Sequence, residues 1–488
     1  MSFDRSTGVS LLTDLYQITM AYGYWKNGLD RREGVFHATF RSNPFGAGYT
    51  IAAGLGLVVD HLRDFRFTED EIAWLATLNG GTKGPLFERE FLEVLRGLRL
   101  ECDVDAIPEG TVVFPNEPLV RVRGPLMQAQ LVETALLNLV NFQSLIATKA
   151  SRVVIAAQGD PVIEFGLRRA QGPDGGVSAS RASFVGGCAA TSNVLAGKLY
   201  GIPVRGTHAH SWVMAFESEI EAFEAFAKAL PDNCIFLVDT YDTLQGVRNA
   251  VEVGRRLRER GSEMVGIRLD SGDLAYLSIE ARKILDESGF PDAKILASND
   301  LDEWIITSLK QQGAKIDLWG VGTRLATAYD QPALGGVYKL AALRNDLGSW
   351  EYRIKLSEQT AKISVPGVLQ VRRFRRNGAD LGDMIFDELA PPDPAERLII
   401  DPLDPTRQKR FDESATWEDL LVPIFRGGEL VYRVPPLEES RERTLGELDS
   451  LHPTTRRFVN PHVYPVGLAR NLHELRTRLV LEARGVAR

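Results

Sequence analysis

Four short stretches carry residue types that could do chemistry. In Gly206-Thr207-His208-Ala209-His210 two imidazoles are one residue apart. On a strand that spacing puts both on one face, as a zinc site needs. A metal-dependent hydrolase would need further His and Asp ligands at later strand ends. The downstream histidines, His452, His462 and His473, fall outside the region of alternating strands and helices. Two readings remain for the pair: hydrogen-bonded structural histidines, or one imidazole acting as nucleophile or phosphoryl acceptor near neutral pH.

In Arg268-Leu269-Asp270-Ser271-Gly272-Asp273 two carboxylates lie three residues apart at a strand-to-helix turn. They suit Mg²⁺, which takes one or two carboxylates plus substrate phosphates, or ribose hydroxyls. A helix N-cap by Ser271 or Asp273 explains the same residues without a ligand. Gly320-Val321-Gly322-Thr323 lets backbone amides approach an anion and adds a hydroxyl donor. A tight turn would look the same. Glu164-Phe165-Gly166-Leu167-Arg168-Arg169 sets an aromatic face beside guanidinium groups, which suits a flat anionic ring. Solvated arginines are the plainer explanation.

These stretches need elements to hold them. Apolar runs at 161–165, 202–204, 235–238, 265–269, 295–297 and 318–321 read as strands, each ending in polar residues or glycine. Helix-like stretches such as 244–260 and 274–288 lie between the later ones. Strands alternating with helices imply a parallel sheet, wound as a barrel or a doubly wound sheet. In either, ligands bind beyond the carboxyl ends of the strands. Six polar strand ends in succession therefore predict one shared site. Ahead of this region, Leu11, Leu15, Ile18, Tyr22 and Trp25 recur at helical spacing, with Ser10 as the expected cap. Residues 29–60 and 103–122 read as short β segments, and 127–150 as a helix. Beyond 343 the rhythm stops. Strand-like pieces near 362–371, a proline-rich loop over 391–405 and a partly helical 444–488 remain.

The chain has 488 residues, 44% hydrophobic and 25% charged, so it has ample core and is not disordered. Fifty-seven basic against sixty-five acidic residues give a net charge of −8, which argues against a nucleic-acid partner. Three scattered cysteines, Cys102, Cys188 and Cys234, read as reduced thiols. No signal-like start and no run of about 18 apolar residues is visible. The expectation is a cytoplasmic protein without a membrane partner.

LLTDLYQITMAYGYW, FRSNPFGAGYTIAAGL, EFGLRRAQGPDGG, GTHAHSW, VDTYDT, IRLDSGD, ASND, GVGT, PALGGVYKL and NPHVYPV occur in that order along nearly the whole chain. Together they strongly resemble the nicotinate phosphoribosyltransferase family. The resemblance implies an irregular α/β barrel of type II phosphoribosyltransferase type with a discontinuous α/β sandwich domain. The expected division is 1–126 and 344–488 for the sandwich and 127–343 for the barrel. It also implies a ligase-type reaction in which nicotinate attacks C1 of phosphoribosyl pyrophosphate, with ATP as co-substrate, Mg²⁺ as cofactor and a homodimer as the assembly.

By the same carry-over His210 is the residue that ATP phosphorylates. Asp270, Ser271 and Asp273 lie near the ribose and magnesium pyrophosphate, with Asp270 and Asp273 as metal ligands. Gly320, Gly322 and Thr323 hold the 5′-phosphate, with Ser298 and Asn299 close by. Tyr16 and Phe165 sandwich nicotinate, Tyr16 reaching in from a second subunit. Arg168 takes the carboxylate, with Arg169 as its rival. A charged hydrogen bond there contributes about 1.5–3 kcal/mol, roughly ten- to over a hundredfold preference over nicotinamide. The other readings are a nicotinamide-using relative, a metal-dependent hydrolase, and a catalytically silent nucleotide-binding regulator. The last would require losses at His210 or Asp270, and both residues are present.

Overall fold

Buried on both faces, the apolar runs of the middle region pair side by side. In the computed structural model, which describes residues 10–81, 84–359 and 362–486, they form a six-stranded sheet. Its order is Ala190–Thr191, Val162–Glu164, Leu318–Val321, Lys294–Ala297, Gly266–Leu269 and Ile235–Leu237. Every neighbouring pair is parallel. Three of the turns from the later strands into a helix are fixed by an aspartate. Asp242 accepts from Gln245 N, Asp273 from Tyr276 N, and Asp302 from Trp304 N and Ile305 N. Such caps contribute about 1 kcal/mol apiece and set where each helix begins.

The expected strand at 202–204 reduces to one parallel bridge, Val204 to Thr191. The strand that takes its place in the sheet, Ala190–Thr191, is too short to show as an apolar run. From Val204 the chain crosses to the opposite edge, where His208 Nε2 accepts a 3.2 Å hydrogen bond from Leu237 N. The ring of strands is therefore closed on that side by a side chain instead of a ladder, which makes the α/β barrel irregular.

This barrel unit spans Ile146–Pro332; the second unit is split, Met1–Leu145 with Ala333–Arg488. The division falls inside the helix Glu133–Ala157, later than the expected 127. The second break comes earlier than 343, because Gly336–Arg344 pairs antiparallel along Glu33–Phe40. The split unit holds an antiparallel seven-stranded sheet in the order Trp350–Tyr352, Gly336–Arg344, Glu33–Phe40, Val120–Pro125, Asp103–Ala106, Val422–Arg426 and Glu429–Leu430. Strands from both ends of the chain thus share one sheet. A six-stranded mixed sheet built from residues 369–468 accompanies it. His37 Nε2 and the Arg121 guanidinium tie the two together, the first accepting from Leu369 N and the second donating to Leu369 O.

The first helix runs Leu15–Lys26 from Asp14, and Ser10 instead donates its hydroxyl to Arg66 O. Residues Leu126–Ala157 form a helical stretch long and apolar enough to cross a bilayer by length and composition. Most of its apolar window is buried in the fold, and it carries the buried ion pairs of Lys149 and Arg152 with Glu303. These are marks of a core helix, since paired charges inside a protein are held by their partners.

Candidate active site

Strand alternation places Arg268 and Asp270 on one face at the end of Gly266–Leu269, and the next strand brings Ser298 beside them. Arg268 donates from Nη2 to Asp270 Oδ1 at 2.8 Å, from Nε to Ser298 Oγ at 2.8 Å and from Nη1 to Thr207 Oγ1 at 3.0 Å. Ser298 Oγ donates to the same Asp270 oxygen. On the other side Asp239 Oδ2 accepts from Asp270 N at 3.0 Å and from Ser271 Oγ at 2.6 Å. Burial raises the Asp270 carboxyl, but Arg268 and the Ser298 hydroxyl outweigh it, so its pKa lies below the usual value.

His210 opens the short helix His210–Met214 and faces this row. Its Nε2 lies 3.8 Å from both Asp239 Oδ1 and Asp270 Oδ2, and Nδ1 is 3.1 Å from Thr240 Oγ1. The imidazole is 41% exposed, while the Asp239 side chain is fully buried and its Oδ1 has no hydrogen-bond partner among the described residues. An accessible ring nitrogen between two carboxylates can accept a phosphoryl group or a proton. His208 does not share its face. It turns into the core, and burial pushes its pKa down to about 4, which keeps it neutral and able to accept from Leu237 N. The two imidazoles therefore do not form a common metal site. Among the described residues no group of three or more His, Cys, Asp or Glu is placed to hold a metal ion.

Phe165 follows Val162–Glu164, and the Arg268 guanidinium lies 5.5 Å from its ring centre. A Cβ on Gly320 would come within 2.7 Å of that ring. Gly320, expected among the phosphate-holding glycines, is thus buried in its strand, where its missing side chain admits Phe165. Gly322 and Thr323, at the start of the short helix Thr323–Ala326, are partly exposed. Beneath, the buried Glu164 carboxylate takes hydrogen bonds from Ser180, Thr191 and Gly166 N, fixing the turn that carries the arginines. Arg168 and Arg169 occupy a single exposed 3₁₀ turn, Leu167–Arg169. Neither guanidinium bonds to another described residue.

Asn299 and Asp300 adopt positive φ of 99° and 42°, a conformation unusual outside glycine, where the chain reverses beyond Ser298. Asp273 caps its helix with Oδ1. Tyr16 lies in the split unit, on Leu15–Lys26, and is 49% exposed. The barrel unit by itself therefore gathers His210, Asp270, Ser271, Ser298 and Phe165, but not the second ring of the expected sandwich.

Asp239, Thr240, Thr207 and Arg268 complete the row and were not singled out as site residues from sequence. The signal for Arg268 was present: two positions before Asp270 on a strand, it must share that residue's face. Asp239 also ends a strand, but only the lateral order of strands shows that it stands next to Asp270.

The fold is similar to a crystal structure of human nicotinic acid phosphoribosyltransferase, with a TM-score of 0.83, 34% identity, and 96% of this chain and 99% of that one covered. It is the fold of the type II phosphoribosyltransferases. The sequence matches the nicotinate phosphoribosyltransferase N-terminal domain over residues 11–141, the nicotinate phosphoribosyltransferase family over 161–349 and the corresponding C-terminal domain over 370–476. It is 43% identical to nicotinate phosphoribosyltransferase of Bacillus subtilis, with 97% of each chain covered. Against nicotinate phosphoribosyltransferase 2 of Arabidopsis thaliana it is 40% identical, covering 95% and 93%. The chain belongs to the nicotinate phosphoribosyltransferase family.

Proposed function

We propose that this chain makes nicotinate mononucleotide for NAD biosynthesis, and that ATP phosphorylates His210 in each cycle. The nicotinate ring nitrogen attacks C1 of phosphoribosyl pyrophosphate as the C1–O bond to pyrophosphate breaks. Membership of the family supports the transfer. The observation that carries the site assignment is the meeting of His210 Nε2 with Asp239 and Asp270 at the strand ends. The ring nitrogen is already nucleophilic, so the protein has to position substrates and stabilise the leaving group. Phe165 offers a face for the pyridine ring, with Tyr16 of a second subunit of a homodimer on the other side. Arg168, whose guanidinium bonds to no other described residue, takes the carboxylate. Gly322, Thr323, Ser298 and Asn299 surround the 5′-phosphate.

Asp270 and Asp273 each keep one carboxylate oxygen free of hydrogen bonds to described residues. Two such oxygens fit Mg²⁺, which would supply positive charge to the departing pyrophosphate. ATP transfers its terminal phosphoryl group to His210, leaving ADP, and the phosphohistidine is hydrolysed before the next cycle. Its added charge orders the site for substrate, a shift of population with no chemistry on the ring. Buried cysteines that form no disulfide among the described residues fit a reducing compartment, the cytoplasm.

Mass spectrometry of products from phosphoribosyl pyrophosphate, with nicotinate or nicotinamide and with or without ATP, tests the whole reading. Nicotinate mononucleotide rising with ATP, alongside ADP, is the expected result. Nicotinamide mononucleotide in its place would keep the fold and overturn the role of Arg168.

A further inference from the structure

Two stretches quoted from the sequence, Phe40 to Leu55 and Asn460 to Val466, take no part in the strand-end site. In the split unit they form walls of one cavity of about 840 Å³. Gly48 makes their approach possible, because a Cβ there would sit 2.3 Å from Thr455 O and 2.9 Å from Pro461 Cβ. Phe114 and Tyr464 stack with ring centres 3.9 Å apart in its lining, and Tyr464 Oη is anchored on the buried Asp383. Ile385, Ile399, Val466 and Leu468 extend that apolar lining. The volume is that of a small-molecule site, and a mostly apolar wall with a few charged groups is how such sites are made.

The charges are mostly of one sign. Arg407, Lys409 and Arg457 line the cavity together with the His462 ring, against Asp401 as the single carboxylate among the described residues of its lining. Asp401 already accepts from Leu403 N and Asp404 N. The side chains of Arg407, Arg457 and His462 form no hydrogen bond and no ion pair within 4 Å among the described residues, whereas Lys409 Nζ donates to Leu381 O. Lys409 is half-buried, and burial lowers its pKa. Asp404 lies near enough to Arg407 to feel its charge. Guanidinium groups without a hydrogen-bonded or ion-paired partner among the described residues, beside an apolar wall, still match an acidic group on an apolar body: forked donors take the acid, and the wall takes the rest.

We propose that this cavity binds a small organic anion, an apolar body of one or two rings carrying a single acidic group, held by Arg407 and Arg457. All its lining residues belong to the split unit, and none is among the strand-end residues of the barrel.

The probe is 8-anilinonaphthalene-1-sulfonate, with uncharged N-phenyl-1-naphthylamine as its control, added to the full-length protein and followed by fluorescence. Saturable binding of the sulfonate at one site per chain is expected, weakening with salt. Arg407→Glu with Arg457→Glu should weaken it at least tenfold while leaving the uncharged probe within about twofold. Both arginines are exposed, so the double variant should keep the wild-type circular dichroism. Asp270→Asn should leave sulfonate binding unchanged. The proposal is overturned if the sulfonate fails to saturate at one site, if the double variant binds it as wild type, or if both probes weaken alike. Loss of binding in Asp270→Asn would also overturn it, by placing the probe at the strand ends.

Discussion

The two units treat charge in opposite ways. In the split unit Arg373 is fully buried and bonded through all three of its guanidinium nitrogens. It donates to Asp383, Glu447 and Val112 O, while neighbouring Arg375 bonds Asp380, Glu418 and Glu447. At the strand ends of the barrel the pairing is left incomplete. Among the described residues Asp239 Oδ1 lacks a hydrogen bond and Arg168 has no partner, while His210 stands off two carboxylates at 3.8 Å. A buried cation bonded to several carboxylates fixes structure, because removing one member strands the others. Accessible groups such as His210 and Arg168 that make few internal bonds keep capacity for ligands. The contrast separates groups that hold the protein together from groups placed to act.

Arg373→Met should have the largest effect, a loss of about 3–5 kcal/mol, because it leaves Asp383 buried without its cation and Glu447 with Arg375 alone. Urea unfolding followed by tryptophan fluorescence measures it. A loss below about 1 kcal/mol would break the comparison at its structural end. Arg168→Ala should behave inversely, with an unchanged urea midpoint and a ten- to hundredfold drop in preference for nicotinate over nicotinamide. If strong preference survives, Arg168 is not the carboxylate partner.

Smaller effects come from titration. His208 in the barrel and His37 in the split unit each accept a backbone N–H across elements, with pKa values near 4 and 3. Burial disfavours the charged form of both. A depressed native pKa gives stability that is present above the unfolded value of about 6.5 and lost as pH falls through the native value. His208→Gln keeps an acceptor that does not titrate, so its midpoint should fall less than wild type between pH 7 and 4.5. Equal slopes would mean that His208 does not carry the barrel's share.

Glu117 runs the other way. Burial and the neighbouring Asp383 raise its pKa well above normal, so the stability it contributes at low pH is lost as pH rises through the native value. Glu117→Gln mimics the protonated form. It should match wild type near pH 5 and gain on it toward pH 8, which melting temperatures at the two pH values will show.

Much of the barrel was legible because parallel strands, covered on both faces, must be apolar runs, and their ends must be polar. Strands at 161–165, 235–238, 265–269, 295–297 and 318–321 reappear within a residue or two. Ala190–Thr191 escaped because two residues among glycines and small polar side chains carry no periodicity. Sequence spacing alone placed His208 and His210 on one face, whereas the chain there crosses between sheet edges and turns them apart. Asp239 was visible as a strand end, but its pairing with Asp270 depends on which strands are neighbours. Gly320 illustrates the limit differently: a glycine beside a candidate phosphate loop had a packing reason, the ring of Phe165.

One consequence of the split unit concerns the order in which the chain is made. The strand Asp103–Ala106 lies between Val120–Pro125 and Val422–Arg426. During synthesis its outer edge waits for a partner until the entire barrel has been translated, on the order of tens of seconds at ordinary elongation rates. For that interval a nascent sheet presents unpaired amides and carbonyls, the template on which chains aggregate. A ribosome-bound intermediate halted after the barrel should therefore depend on chaperones, and release from that dependence should coincide with emergence of Val422–Arg426.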